Sequence, residues 1–160
     1  MKAASISEIK KELNSIPPAE LAALCIRLAK YKVDNKELLN YLLFEAHDEQ
    51  RYIESVKSEI DKGFADIGSD KLYNAKKRLR KILRITNKHI RYTSSKQVEA
   101  ELLIYFCTKM KDAGLLSTYS IQLHNLYEQQ LKKITKVIAV QHEDLQYDYQ
   151  RQLDRLLPAK

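Results

Sequence analysis

Leu72-Tyr73-Asn74-Ala75-Lys76-Lys77-Arg78-Leu79-Arg80-Lys81-Ile82-Leu83-Arg84-Ile85-Thr86-Asn87-Lys88-His89-Ile90-Arg91-Tyr92 sorts into two faces when wound as a helix at about 100° per residue. Leu72, Ala75, Leu79, Ile82, Leu83, Thr86 and Ile90 fall on one side and form a packing face. Lys77, Arg80, Lys81, Arg84, Lys88 and Arg91, with Tyr73, gather on the other. Residues 69–92 hold 9 Lys/Arg and 1 Asp/Glu, a net of +8, against −2 for residues 1–68 and +1 for residues 93–160. The basic character of the chain, +7 in all, therefore belongs to a single helix.

Cations repeating at three and four residues without carboxylates between them repel one another, by a few tenths of a kcal/mol per pair. Two readings follow. In one, the strip is a solvated face, partly neutralised by the acidic helix before it, where residues 47–66 carry 6 Asp/Glu and 3 Lys/Arg. In the other, Lys77, Arg80, Lys81, Arg84, Lys88 and Arg91 bind an anionic partner along about 21 Å of helix, such as nucleic-acid phosphates or an acidic protein surface. Such a strip contacts phosphates but reads no bases.

The rest of the chain extends the helical reading. With 160 residues and 44% hydrophobic content, the chain is long enough to bury about 70% of its unfolded surface without disulfides or metals. Gly 3 and Pro 3 are too few for the turns of an all-β or alternating α/β fold, and leave nothing for a glycine-rich phosphate loop. Ser5 and Glu8 form a capping box for a first helix ending near Asn14; Pro18 opens a second to Tyr31, with Leu21, Leu24, Cys25 and Leu28 as its buried stripe. Asp34 and Glu37 suggest a box for a third, burying Leu38, Leu39, Leu42 and Leu43. A fourth from Asp48 to Asp66 buries Tyr52, Ile53, Val56, Ile60 and Phe64, and Gly68 terminates it. Ser69 or Asp70 would cap the basic helix. Ser94 with Gln97 caps a sixth that stops at Gly114; a seventh runs from Ser117 to Val140 with Leu123, Leu126, Ile134 and Val137, and an eighth from Glu143 to Leu157.

The expected fold is all-α. About eight helices form consecutive antiparallel hairpins, either an irregular array laid out like HEAT or tetratricopeptide repeats or a compact bundle. A single domain over residues 1–160 is expected, with a possible subdivision near Gly68.

Ile9-Lys10-Lys11-Glu12-Leu13, Pro18-Ala19-Glu20-Leu21 and Asn35-Lys36-Glu37-Leu38-Leu39-Asn40-Tyr41-Leu42 resemble the opening of an all-helical family of bacterial proteins that has no assigned activity. The layout of the basic helix followed by Glu99 to Phe106 is similar as well. The resemblance implies an all-helical fold in a bacterial cytosol, and nothing about individual site residues.

Little points to chemistry. Cys25 and Cys107 sit among apolar neighbours and read as buried core thiols; no CxxC or Cys/His pairing accompanies them. The positions three before His47, His89, His124 and His142 hold no glutamate, so the ligand pattern of di-iron bundles is missing. Glu99 and Glu101 point to different faces, and Tyr147 and Tyr149 likewise, one buried and one exposed. No cofactor, metal site or enzyme activity is expected. The amino end meets Glu8 before an apolar run builds, so no secretory leader is expected, and Leu102 to Cys107, the longest strongly apolar uncharged run, is too short to span a bilayer. The expectation is a cytoplasmic, non-enzymatic helical scaffold whose partner is another protein. Sequence-independent nucleic-acid binding through the basic helix is the alternative.

Overall fold

Helix-forming residues, short polar connections and well-placed caps dictate the architecture. The structure, a computed structural model, describes residues 2–67 and 72–158. Among the described residues it contains eight α-helices and no strand. These are α1 (Ile6–Leu13), α2 (Pro18–Tyr31), α3 (Val33–Asn40), α4 (Glu49–Ala65), α5 (Leu72–Thr93), α6 (Lys96–Asp112), α7 (Ile121–Ile138) and α8 (Glu143–Leu156). The terminator expected at Gly68 and the cap expected at Ser69 or Asp70 lie outside the described residues.

The chain divides into two compact units, residues 1–44 and 45–160. In the first, α1 opens on the expected capping box: the Ser5 N–H donates to Glu8 Oε2 at 2.7 Å, and the Glu8 N–H to Ser5 Oγ at 3.3 Å. Helices α2 and α3, joined through Lys32, touch each other, and Asn35 Nδ2 donates to the Leu28 carbonyl across the junction at 2.9 Å. Three expectations are corrected here. No residue of α1, α2 or α3 is buried, so the stripe Leu21, Leu24, Cys25 and Leu28 is solvent-exposed. The box expected at Asp34 is absent, because α3 begins at Val33 and Asp34 lies inside its first turn. Leu42 and Leu43 fall in a wider π-type turn, Tyr41–Glu45, which buries Tyr41 and leaves both leucines exposed.

In the second unit α6 is the central helix, packed against α4, α5, α7 and α8. Its sequence explains that position. Val98, Ala100, Leu102, Leu103, Ile104, Phe106, Cys107 and Met110 are all buried, so α6 is apolar nearly all round, as a helix surrounded by others must be. Buried faces of α4 (Tyr52, Ile53, Val56, Ile60), α7 (Leu123, Tyr127, Leu131, Ile134, Val137) and α8 (Tyr149, Leu153, Leu156) pack around it with that of α5. Phe64 is only half-buried, its ring edge-on to Phe106 at 5.7 Å. Tyr149 is buried and Tyr147 exposed, as their spacing requires.

Helix α5 crosses α4 where a side chain would not fit. A Cβ at Gly63 would lie 2.7 Å from Ile82 Cγ1, so glycine there permits the close approach. His89 bridges the same pair, its Nδ1 2.7 Å from the Tyr52 hydroxyl and its Nε2 3.0 Å from Glu59 Oε2. Gly114 follows α6 in the left-handed conformation (φ 68°), ending the helix as its sequence suggests. The seventh helix starts later than expected. Leu115–Ser117 form a separate 3₁₀ turn, and Ser120 caps α7 through its hydroxyl.

Candidate functional site

The apolar face of α5 is nearly as its periodicity predicts. Ala75, Leu79, Ile82, Thr86 and Ile90 are buried, Leu83 is half-buried, and Leu72, at the start of the helix, is exposed. The Thr86 hydroxyl makes its buried hydrogen bond to the Ile82 carbonyl one turn back, at 2.9 Å. Burying that face turns the opposite one outward. Lys77, Arg80, Lys81, Arg84 and Arg91 are exposed and form no ion pair among the described residues. Lys88 differs, being half-buried and already engaged in a contact.

Three carboxylates of α4 have partners other than the strip. Glu54 pairs with Lys57, Glu59 with His89, and Asp61 with Lys109 at 2.7 Å and the Tyr105 hydroxyl at 2.8 Å. Those contacts outweigh the burial that opposes ionisation at Asp61 and hold its carboxyl below the ordinary range. Arg78, at the edge of the strip, meets an acid from that hairpin partner, 3.6 Å from Asp66 at the α4 C-cap. A shallow groove of about 660 Å³ follows the exposed face, lined by Asn74, Lys77, Arg78, Arg80, Lys81 and Arg84, all from α5.

Toward the C-terminal end of α5 the lining passes from one helix to three. The corner between α5 and α6 holds a pocket of about 730 Å³ in which Arg84, Asn87 and Arg91 face Ser94, Ser95 and Lys96, with Lys133 contributed by α7. The corner departs from the expected cap by one residue. Thr93 Oγ1 accepts the Ser95 N–H at 3.2 Å and prolongs α5 to Thr93. Ser94 then takes the left-handed position (φ 52°) and Ser95 becomes the cap, accepting the Val98 N–H at 3.3 Å.

Glu99 lies at the inner side of this pocket and is almost wholly buried. Lys96 Nζ donates to its Oε2 at 2.8 Å, and Lys133 Nζ lies 3.3 Å from its Oε1 and donates to Asn87 Oδ1 at 3.0 Å. Burial pushes the Glu99 carboxyl up, but the hydrogen bonds and charges of the two lysines outweigh it and hold the group below the usual carboxylate range. Two lysines thus hold one ionised carboxylate in a pocket that Arg84 and Arg91 also line. Asn87, Lys96 and Lys133 come from three helices, and no local spacing in the sequence signals their convergence.

The other residues considered for chemistry stay apart. Glu101 pairs with Lys57 at 2.7 Å, away from Glu99. His124 Nε2 lies 3.3 Å from the Thr118 carbonyl, and His142 caps α8. Cys107 is fully buried, which raises its thiol to about 12, whereas Cys25 is exposed, correcting the expectation of two core thiols. Among the described residues no helix is long and apolar enough to cross a membrane. No family model matches the chain, and no curated protein and no solved structure is significantly similar to it.

Proposed function

We propose that the second unit binds nucleic acid without sequence preference, through phosphate contacts along α5, as a non-enzymatic protein of a reducing cytoplasm. One observation carries this reading: Lys77, Arg80, Lys81, Arg84 and Arg91 are solvent-facing and lack ion pairs among the described residues. Their mutual repulsion is an uncompensated cost in the free protein. A polyanion removes that cost and gains counterion-release free energy as well. The exposed Tyr73 sits on the same face, where its ring can stack on an unpaired base. The test is fluorescence anisotropy of labelled single-stranded and duplex oligonucleotides with the full chain and with Lys77→Glu/Arg80→Glu/Lys81→Glu. Micromolar or tighter binding that the triple reversal abolishes supports the reading. Binding that survives the reversal contradicts it.

A protein partner is supported by a different observation, in the first unit. Helices α1–α3 bury no residue and leave Ile6 81%, Leu28 61% and Tyr31 78% exposed. Short helices gain most of their stability from packing an apolar face, so these faces are suited to a helical partner. A photo-reactive side chain at Tyr31 tests this: a discrete cross-linked protein adduct is expected, and its absence would contradict the reading.

A further inference from the structure

We infer that the corner pocket between α5 and α6 seats a terminal phosphate monoester of the bound strand. The inference rests on the reading of α5 as a phosphate-binding strip and assigns a distinct task to the strip's C-terminal end. The two depressions share Arg84, so a backbone following the open groove reaches the pocket without leaving cationic surface. Their construction differs. The groove is lined by one helix and lets a strand run past, whereas the pocket is walled by α5, the Ser94–Ser95 corner, α6 and α7. Donors that converge from three helices suit a group that presents several free oxygens at one point.

Its donors also suit a monoester better than an internal diester. A monoester carries close to two negative charges near neutral pH and three terminal oxygens, against one charge and two free oxygens for a diester. Arg84 and Arg91 have no ion pair among the described residues, so both guanidinium forks remain available for bidentate contacts. Lys96 directs one N–H to Glu99, and Lys133 directs its own to Glu99 and Asn87. Each ammonium has three N–H groups, so each retains a donor for a ligand. Glu99 fixes where those ammonium groups stand, and one carboxylate is outnumbered by four cations. The Ser94 hydroxyl has no hydrogen-bond partner among the described residues and lies on the pocket rim, held there by a backbone conformation that a serine adopts at a cost.

The experiment compares three oligonucleotides of one sequence, ending in a 5′-phosphate, a 3′-phosphate or hydroxyls at both ends, each titrated with the full chain at about 0.15 M salt. One phosphorylated end is expected to bind roughly tenfold tighter than the hydroxyl ends, the value of one or two added charge-assisted hydrogen bonds. Inorganic phosphate should erase that preference before it displaces the strand. Lys96→Ala and Lys133→Ala, at pocket sites outside the α5 strip that are exposed and half-exposed, should erase the preference and leave hydroxyl-ended binding largely intact. Thermal melts check that both variants remain folded. Equal affinity for all three ends overturns the monoester site and leaves the strip reading standing. A preference that survives both variants places the end elsewhere and overturns it too. Failure of every oligonucleotide to bind overturns the strip reading, and this inference with it.

Discussion

Lys133 of α7 stands 3.3 Å from Glu99 of α6, an ion pair that ties the central helix to its neighbour beside the basic strip. Because the folded Glu99 carboxyl lies below its ordinary value of 4.5, its contribution to stability is fully present above that value and is lost as pH falls through the folded one. Glu99→Gln is expected to cost about 1–2 kcal/mol at pH 7 through the weakened charged hydrogen bonds. The gap between wild-type and variant melting temperatures should close as the pH is lowered from 4.5 toward the folded value. A gap independent of pH would show that the pair does not act through ionisation.

Gly63→Ala tests the close crossing of α4 and α5. Alanine favours an exposed helix over glycine by about 1 kcal/mol, but here its Cβ would collide with Ile82, and overpacking costs roughly 1–3 kcal/mol. A net loss of stability is expected in denaturant titration. Combined with Ile82→Ala, which removes the colliding atoms, Gly63→Ala should become neutral or stabilising. Additive losses in the double variant would contradict the geometry.

Much of this architecture was legible in the chain. Capping at Ser5, the stop at Gly114 and the two faces of α5 follow from local chemistry, and local chemistry is what a sequence displays. The leucines at 21, 24 and 28 show the limit. Their spacing says that one face of α2 is apolar, and the same spacing serves a face buried in the unit and a face left exposed. Ser94 and Ser95 show another. Gln97 three residues on favours Ser94 as the cap, but the Ser94 N–H still bonds to the Ile90 carbonyl and the Thr93 hydroxyl accepts the Ser95 N–H, which moves the cap to Ser95. Lys96, Lys133 and Asn87 were invisible as a group, since the folding of α5, α6 and α7 around one corner brings them together.

Ser94→Gly should raise stability by about 0.5–1 kcal/mol, because the left-handed conformation at φ 52° strains any residue with a Cβ and suits glycine. Equilibrium unfolding checks this. A destabilised variant would mean that the Ser94 side chain makes a compensating contact.

The two thiols should differ sharply toward an alkylating reagent. Cys25 is exposed and is expected to react in the native protein within minutes at mildly alkaline pH. Cys107 is fully buried, with its thiol near 12, and should react only on unfolding. Mass spectrometry after timed labelling separates them. Native labelling of Cys107 would contradict the packing of α6.

The most direct measurement is the salt dependence of oligonucleotide affinity. Engagement of the five exposed cations of α5 predicts a slope of log affinity against log salt of about −3 to −4 on a single strand, from roughly 0.7 per neutralised phosphate. Reversing Lys81 and Arg84 to glutamate should flatten it by more than about 1 unit. A slope near zero, or one that the reversal leaves unchanged, would contradict the assignment of α5 as the phosphate-binding surface.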